Sequence, residues 1–182
     1  MKIAVLERNS VGTDIDVTCF EDFGEVTYYR NTVAADAAEK VKDVDIIIAN
    51  KAPMNEETLK DAPNVKLICE FATGFDNIDL EYCKKRRIKV ANVKDYSTAA
   101  VAQHTFALAL YLLEHLPHYD TYVKDGSYGA QDRFSNFDLP FTELAGKTWG
   151  IIGMGNIGRM VAKIATAVSY THLRAHETAA NL

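Results

Sequence analysis

The chain has 182 residues, 48% of them hydrophobic and 25% charged, with a formal net charge of −5. That length allows one domain, or one domain and part of a second, around a real core. The negative balance argues against a nucleic-acid partner, which needs a basic face, and no run approaches the ~18 apolar residues of a membrane span.

The opening "MKIAVLERNS" passes from apolar to charged too soon for a signal peptide. Cys19, Cys69 and Cys83 are odd in number and lack metal or redox spacing, which suits a reducing compartment. Together these features predict a soluble, cytoplasmic protein without nucleic-acid, membrane or metal partners.

In chain order, "KIAVLE" (2–7), "EVTYY" (25–29), "DIIIAN" (45–50), "LICEFA" (67–72) and "IKVANV" (88–93) read as strands. The first, third and fourth are apolar on consecutive residues, as parallel strands buried on both faces are. Helical composition fills the gaps in "AADAAEKVK", "NEETLKDA" and "NIDLEYCKKR", with Asp76 or Asn77 as N-cap of the last. The basic cluster Lys84–Arg87 falls at the end of that helix and complements its dipole. Strand–helix alternation at this spacing predicts an α/β fold with a doubly wound parallel sheet.

A helix follows over Ser97–Pro117, capped by Ser97 or Thr98 and stopped by Pro117. It is apolar almost all round, so burial is expected. His104, in its middle, reads as a packed core histidine rather than an acid or base, while His115 and His118 read as capping or surface residues. The polar stretch Asp120–Leu139 reads as irregular. "KTWGIIGMG" then returns to a buried strand and runs into glycines.

Gly153, Gly155 and Gly158 form G-x-G-x-x-G after that strand and at the start of a helical run. The first glycine permits a tight turn, the second lets the backbone approach a pyrophosphate, and the third allows close packing of helix on strand. The helix N-terminus adds free N–H groups and a positive dipole end. Such a motif also requires a second parallel strand ending in an acid for the ribose hydroxyls. Glu177 has the spacing, but "YTHLRAH" puts His172, Arg174 and His176 where a central buried strand would be. The same two histidines, four residues apart, have helical metal-ligand spacing but no third ligand nearby.

With these motifs in view, the chain resembles the D-isomer-specific 2-hydroxyacid dehydrogenases. "ICEFATGFDNIDL" is similar to that family's substrate-domain loop, "YSTAAVAQHTFALALYLL" to its inter-domain helix, and "LAGKTWGIIGMGNIGRMVA" to the opening of its NAD domain. The resemblance implies a flavodoxin-like substrate domain over 1–96, an inter-domain helix over 97–117, and the start of a Rossmann domain over 118–167. It also implies hydride transfer between NAD(H) and a small 2-oxo acid or D-2-hydroxy acid, as in hydroxypyruvate reductases and glycerate or D-lactate dehydrogenases. NADP stays open as the cofactor, because the acid that would decide is not identifiable.

Carried across by residue, Thr73 matches a position that touches the cofactor, and the N–H groups of Thr73 and Gly74 match the loop that receives the substrate carboxylate. Asn156 and Ile157 match positions whose backbone meets the pyrophosphate, between Gly155 and Gly158. Read without the resemblance, "ATGFDN" is a plain strand-to-helix link, although Gly74 can open its backbone toward an anion. The family's catalytic Arg, Glu and His match no residue of this chain, so the chain is expected to be inactive alone, with the full-length parent a homodimer. From about Val168, "VSYTHLRAHETAANL" resembles a translated sequencing adapter, and residues 168–182 are expected to be a non-native tail. An NADH-sensing, corepressor-like binding protein of the same fold is the alternative function. Arg87 stands where the family often has Gly or Asn.

Overall fold

The computed structural model describes residues 1–168 and 172–176. By its internal contacts the chain divides into two compact units, Met1–Lys94 and Asp95–Leu182.

In the first unit, β1 (Lys2–Val5), β2 (Glu25–Tyr28), β3 (Ile46–Ala49), β4 (Leu67–Glu70) and β5 (Lys89–Ala91) form one sheet in the order β2-β1-β3-β4-β5. Every neighbouring pair is parallel, with Ile3 opposite Ile46 and Ile47 opposite Ile68. This is the flavodoxin-like order expected of alternating strands and helices.

Because successive strand side chains point to opposite faces, the consecutive apolar runs supply two cores. Ala4, Leu6, Ile47, Ala49 and Ile68 pack on one face against Val41, Leu59 and Cys83. Those three come from α1 (Ala34–Val41), α2 (Glu56–Leu59) and α3 (Leu80–Lys85). Ile3, Val5 and Ile48 pack on the other face with Phe20, Tyr28 and Phe71. Ile47 is fully buried, so its truncation to Ala should cost about 3 kcal/mol.

The N-cap of α3 is Asp79, whose side chain accepts from the Tyr82 N–H at 2.9 Å, and not Asp76 or Asn77. Asn77 is engaged elsewhere, donating to the Ala52 carbonyl at 3.0 Å. In the basic cluster, Arg86 donates to the Leu59 and Ala62 carbonyls, both at 2.9 Å, and so ties α3 to the end of α2. Arg87 has φ 58°, a left-handed backbone that costs a non-glycine residue on the order of 1 kcal/mol.

In the second unit, α4 (Thr98–Leu113) ends at Leu113 and α5 (Leu116–Lys124) follows at once, with His115 at φ 50° between them. Pro117 therefore starts a helix instead of stopping one, since its missing N–H is tolerated in a first turn. A further turn, α6 (Ser127–Ala130), also lies in the stretch expected to be irregular. His118 stands against Tyr119 and Tyr122.

The expected burial of α4 is not found. Only Ala102 and Phe106 are buried, while Leu108, Tyr111 and Leu112 are exposed, as is His104. One side of the helix packs on α7 (Asn156–Ala167), through Val161, Ala162 and Ala165. Phe106 stacks on Trp149 with ring centroids 4.7 Å apart. Among the described residues no element of this unit covers the other side.

Strand β6 (Thr148–Ile152) pairs in parallel with β7 (His172–His176), Thr148 opposite His172 and Ile152 opposite His176. The sequence argued against a strand here by assuming a central position. Among the described residues the sheet holds these two strands, and a strand is present over 172–176. The two histidines belong to a strand, which removes the helical metal spacing. Glu177 lies outside the described residues.

Candidate functional site

The glycine turn is built by backbone sterics. Gly153 has φ 90°, a conformation that side chains resist. A Cβ on Gly158 would lie 2.1 Å from the Gly153 carbonyl oxygen, so helix and turn touch here as the motif demands. A Cβ on Gly155 would meet nothing within 4 Å. Among the described residues nothing requires glycine at that position, and the space beside it can admit a ligand.

Helix α7 begins at Asn156 with Gly155 as N-cap, and no side chain caps it. Asn156, Ile157 and Gly158 thus form the uncapped first turn of a 12-residue helix, where N–H groups and dipole favour an anion. Arg159, one residue on, bonds back to the Met154 carbonyl at 2.8 Å and to Asn156 Oδ1 at 2.5 Å. The Asn156 amide also donates to Asp95, itself at φ 59°. All five sequence-identified positions from Gly153 to Gly158 fall in one turn. A dinucleotide pyrophosphate fits its chemistry: an open glycine edge, unclaimed helix amides and one cation.

Thr73 and Gly74 belong to the first unit, on the exposed loop after β4. The Thr73 hydroxyl donates to the Val93 carbonyl at 2.8 Å, and its carbonyl accepts from Asn92 Nδ2 at 2.7 Å. The Val93 N–H donates to Ala72 at 3.1 Å. The loop is therefore pinned to the segment after β5, while the N–H groups of Thr73 and Gly74 have no acceptor among the described residues. Two adjacent unclaimed amides can receive a carboxylate. Gly74 is not among the positive-φ glycines. A Cβ there would come within 3.3 Å of Asp76 Oδ1, the end of an exposed side chain that can shift, so neither handedness nor space demands glycine here.

Sequence reasoning missed the group beneath this loop. Glu70, the last residue of β4, is 2% exposed and Glu7, just past β1, 8%. Glu7 Oε2 accepts the N–H groups of Asn50, Lys51 and Ala52 at 2.7, 2.8 and 3.1 Å, and so shapes the loop after β3. Glu70 Oε2 accepts from Asn77 Nδ2 at 3.3 Å. Burial raises the Glu70 carboxyl to about 7; the Asn77 hydrogen bond opposes the shift, the Glu7 charge adds to it, and Lys51 and Asp76 act weakly in opposite senses. The available signal was an acid inside the apolar run "LICEFA".

Comparisons with known proteins identify the family of the chain. The family model described as D-isomer specific 2-hydroxyacid dehydrogenase, catalytic domain, matches residues 3–182. The chain is 36% identical over 172 residues to the hydroxypyruvate reductase of Blautia hydrogenotrophica, covering 92% of this chain and 53% of that one. It is 34% identical over 168 residues to the glycerate dehydrogenase of Methylorubrum extorquens, with the same coverage of 92% and 53%. A crystal structure of D-lactate dehydrogenase from Aquifex aeolicus, complexed with NAD and lactic acid, superposes with a TM-score of 0.76 at 26% identity, covering 98% of this chain and 56% of that one. The chain thus spans about half the length of the relatives it matches. Among the described residues no helix is long and apolar enough to cross a membrane.

Proposed function

The chain belongs to the D-isomer specific 2-hydroxyacid dehydrogenase family, and from that membership we propose that it serves NAD-dependent hydride transfer between NAD(H) and a small 2-oxo acid or D-2-hydroxy acid. The observation that carries the reading is the turn after β6. Gly153 is left-handed, Gly158 is packed on it, and Gly155 is open where none of the described residues needs it to be. In this reading the α7 amides of Asn156 and Ile157 receive the pyrophosphate. The free amides of Thr73 and Gly74 receive the acid's carboxylate, with the Thr73 side chain beside the cofactor. The bound nicotinamide supplies or accepts the hydride.

No residue of this chain matches the family's Arg, Glu and His, so the 182 residues alone bind ligands without turning them over. Hydroxypyruvate is the first substrate to test, since a hydroxypyruvate reductase and a glycerate dehydrogenase are among the relatives. The reductase and dehydrogenase names of these relatives favour an oxidoreductase over an NADH-sensing binding protein.

The test is a titration with NADH followed by its fluorescence, on the wild-type chain and on Gly155→Val. Saturable binding that falls at least tenfold in the variant, with unchanged thermal stability, is the expected result. Binding that is absent, or indifferent to the substitution, overturns the reading.

A further inference from the structure

The buried pair Glu7 and Glu70 lies where the central strands β1 and β4 end, the edge of an α/β sheet at which ligands bind. Glu7 Oε2 accepts three backbone donors, whereas the Glu70 network is left short of donors. Glu70 Oε1 and Asn77 Oδ1 are both buried and, among the described residues, neither has a hydrogen-bond partner. Both oxygens are acceptors when Glu70 is ionised, and two buried acceptors without donors are costly. A proton on Glu70 turns one acceptor into a donor and so lessens that mismatch.

On balance the charges facing Glu70 also favour its proton. Glu7 reaches it from the end of β1, Lys51 from the loop after β3 and Asp76 from its own loop, two acids against one exposed lysine. Glu70 and Asn77 also bracket the turn that carries Thr73 and Gly74. Asn77 fixes the far end of that turn, donating by its side chain to the Ala52 carbonyl and giving its own carbonyl to the Met54 N–H at 2.9 Å.

We propose that Glu70 is a positioning residue for the carboxylate-receiving turn: protonated and joined to Asn77, it holds residues 71–77 so that the Thr73 and Gly74 amides stay free, and losing the proton loosens the turn and sets a negative charge beneath an anionic ligand. This rests on the reading of that turn as the receiver of a 2-oxo acid. By linkage, the proton on Glu70 and the bound anion favour each other, so binding takes up a proton near neutral pH. Affinity for the acid should fall as pH rises through about 7, the value to which burial raises Glu70.

The experiment is a chemical-shift titration of the chain with hydroxypyruvate at pH 6 and pH 8.5, on wild type and on Glu70→Gln, whose amide imitates the protonated acid. The expected result is wild-type binding about tenfold weaker at the higher pH, the factor that one pKa unit of coupling supplies, with Glu70→Gln keeping its pH 6 affinity at both. Binding with the same pH dependence in both proteins overturns the inference and leaves the functional reading standing. No binding by either protein at either pH overturns the carboxylate-receiving role of the turn, and the inference with it. Should Glu70→Gln not fold, the wild-type titration without ligand decides. The Thr73 and Gly74 amide resonances must follow the Glu70 carboxyl carbon between the two pH values, and resonances that stand still overturn the inference.

Discussion

The turn after β6 and the turn after β4 both end a parallel strand and both offer backbone N–H groups to an anion, yet different forces shape them. The first is fixed by what glycine lacks: a left-handed Gly153 and a Gly158 that leaves no room for a Cβ. Its glycines need no titratable group for their geometry, and the charged Asp95 and Arg159 bond only to the residues beside them. The second is fixed by side chains, with Thr73 and Asn92 pinning one end and Glu70 and Asn77 the other. The steric constraint of the first turn does not depend on pH, whereas a turn held over a buried acid does.

The substitution that breaks the first turn should have the largest effect. Gly158→Ala places a methyl group against a backbone carbonyl that cannot step aside, so we expect a loss of about 4 kcal/mol in the second unit, seen as early melting of that unit by calorimetry. A variant that melts like wild type would show the close contact to be soft.

Next comes the acid under the second turn. Glu70 is raised in the folded protein, to about 7 from an ordinary 4.5, so the folded state binds its proton more tightly than the unfolded chain. Its stabilisation is complete below about 4.5 and is lost as pH rises through about 7, at most about 3 kcal/mol in all. Urea melts between pH 5 and 8 should show this decline, and Glu70→Gln should flatten it.

Glu7→Ala sharpens the comparison by removing the acceptor of three backbone donors. A cost of about 2 kcal/mol is expected, since exposed Lys51 can turn to water but buried Ala52 cannot. The same variant deletes a neighbouring negative charge, so the Glu70 carboxyl should titrate lower by carbon NMR.

The smallest effect belongs to a turn of a third kind, left-handed without glycine. Arg87→Gly should relieve strain at φ 58°, although glycine's freedom in the unfolded chain takes back part of the gain. A net stabilisation below about 1 kcal/mol, measured by denaturant midpoint, is expected.

Much of the fold was legible because it rests on local pattern. The runs "KIAVLE" and "DIIIAN" announce strands buried on both faces, and β1 and β3 are buried along almost their whole length. The glycine spacing likewise carries its own geometry. What failed depended on choices that one residue of offset decides. In "FDNID" three residues could cap α3, and which one does is set by the bond that holds Asn77 to Ala52. Pro117 suits a helix start as well as a stop, and only the left-handed His115 before it settles the matter. The apolar circumference of α4 promised burial that its unit supplies on one side only. Glu70 escaped notice for a different reason. Its partners come from positions 7 and 77 and from the ends of separate strands, and no window of sequence contains them together.

The strand order has a consequence for the growing chain. β1 lies between β2 and β3 and gains its second neighbour only when residues 46–49 exist, and β5 closes the sheet at Ala91. All of this precedes β6, which begins at Thr148. Units of a chain fold in the order in which they are made, so the sheet of the first can be complete on the ribosome before the second has a strand. The turn over Glu70 is then already shaped when Gly153 is translated.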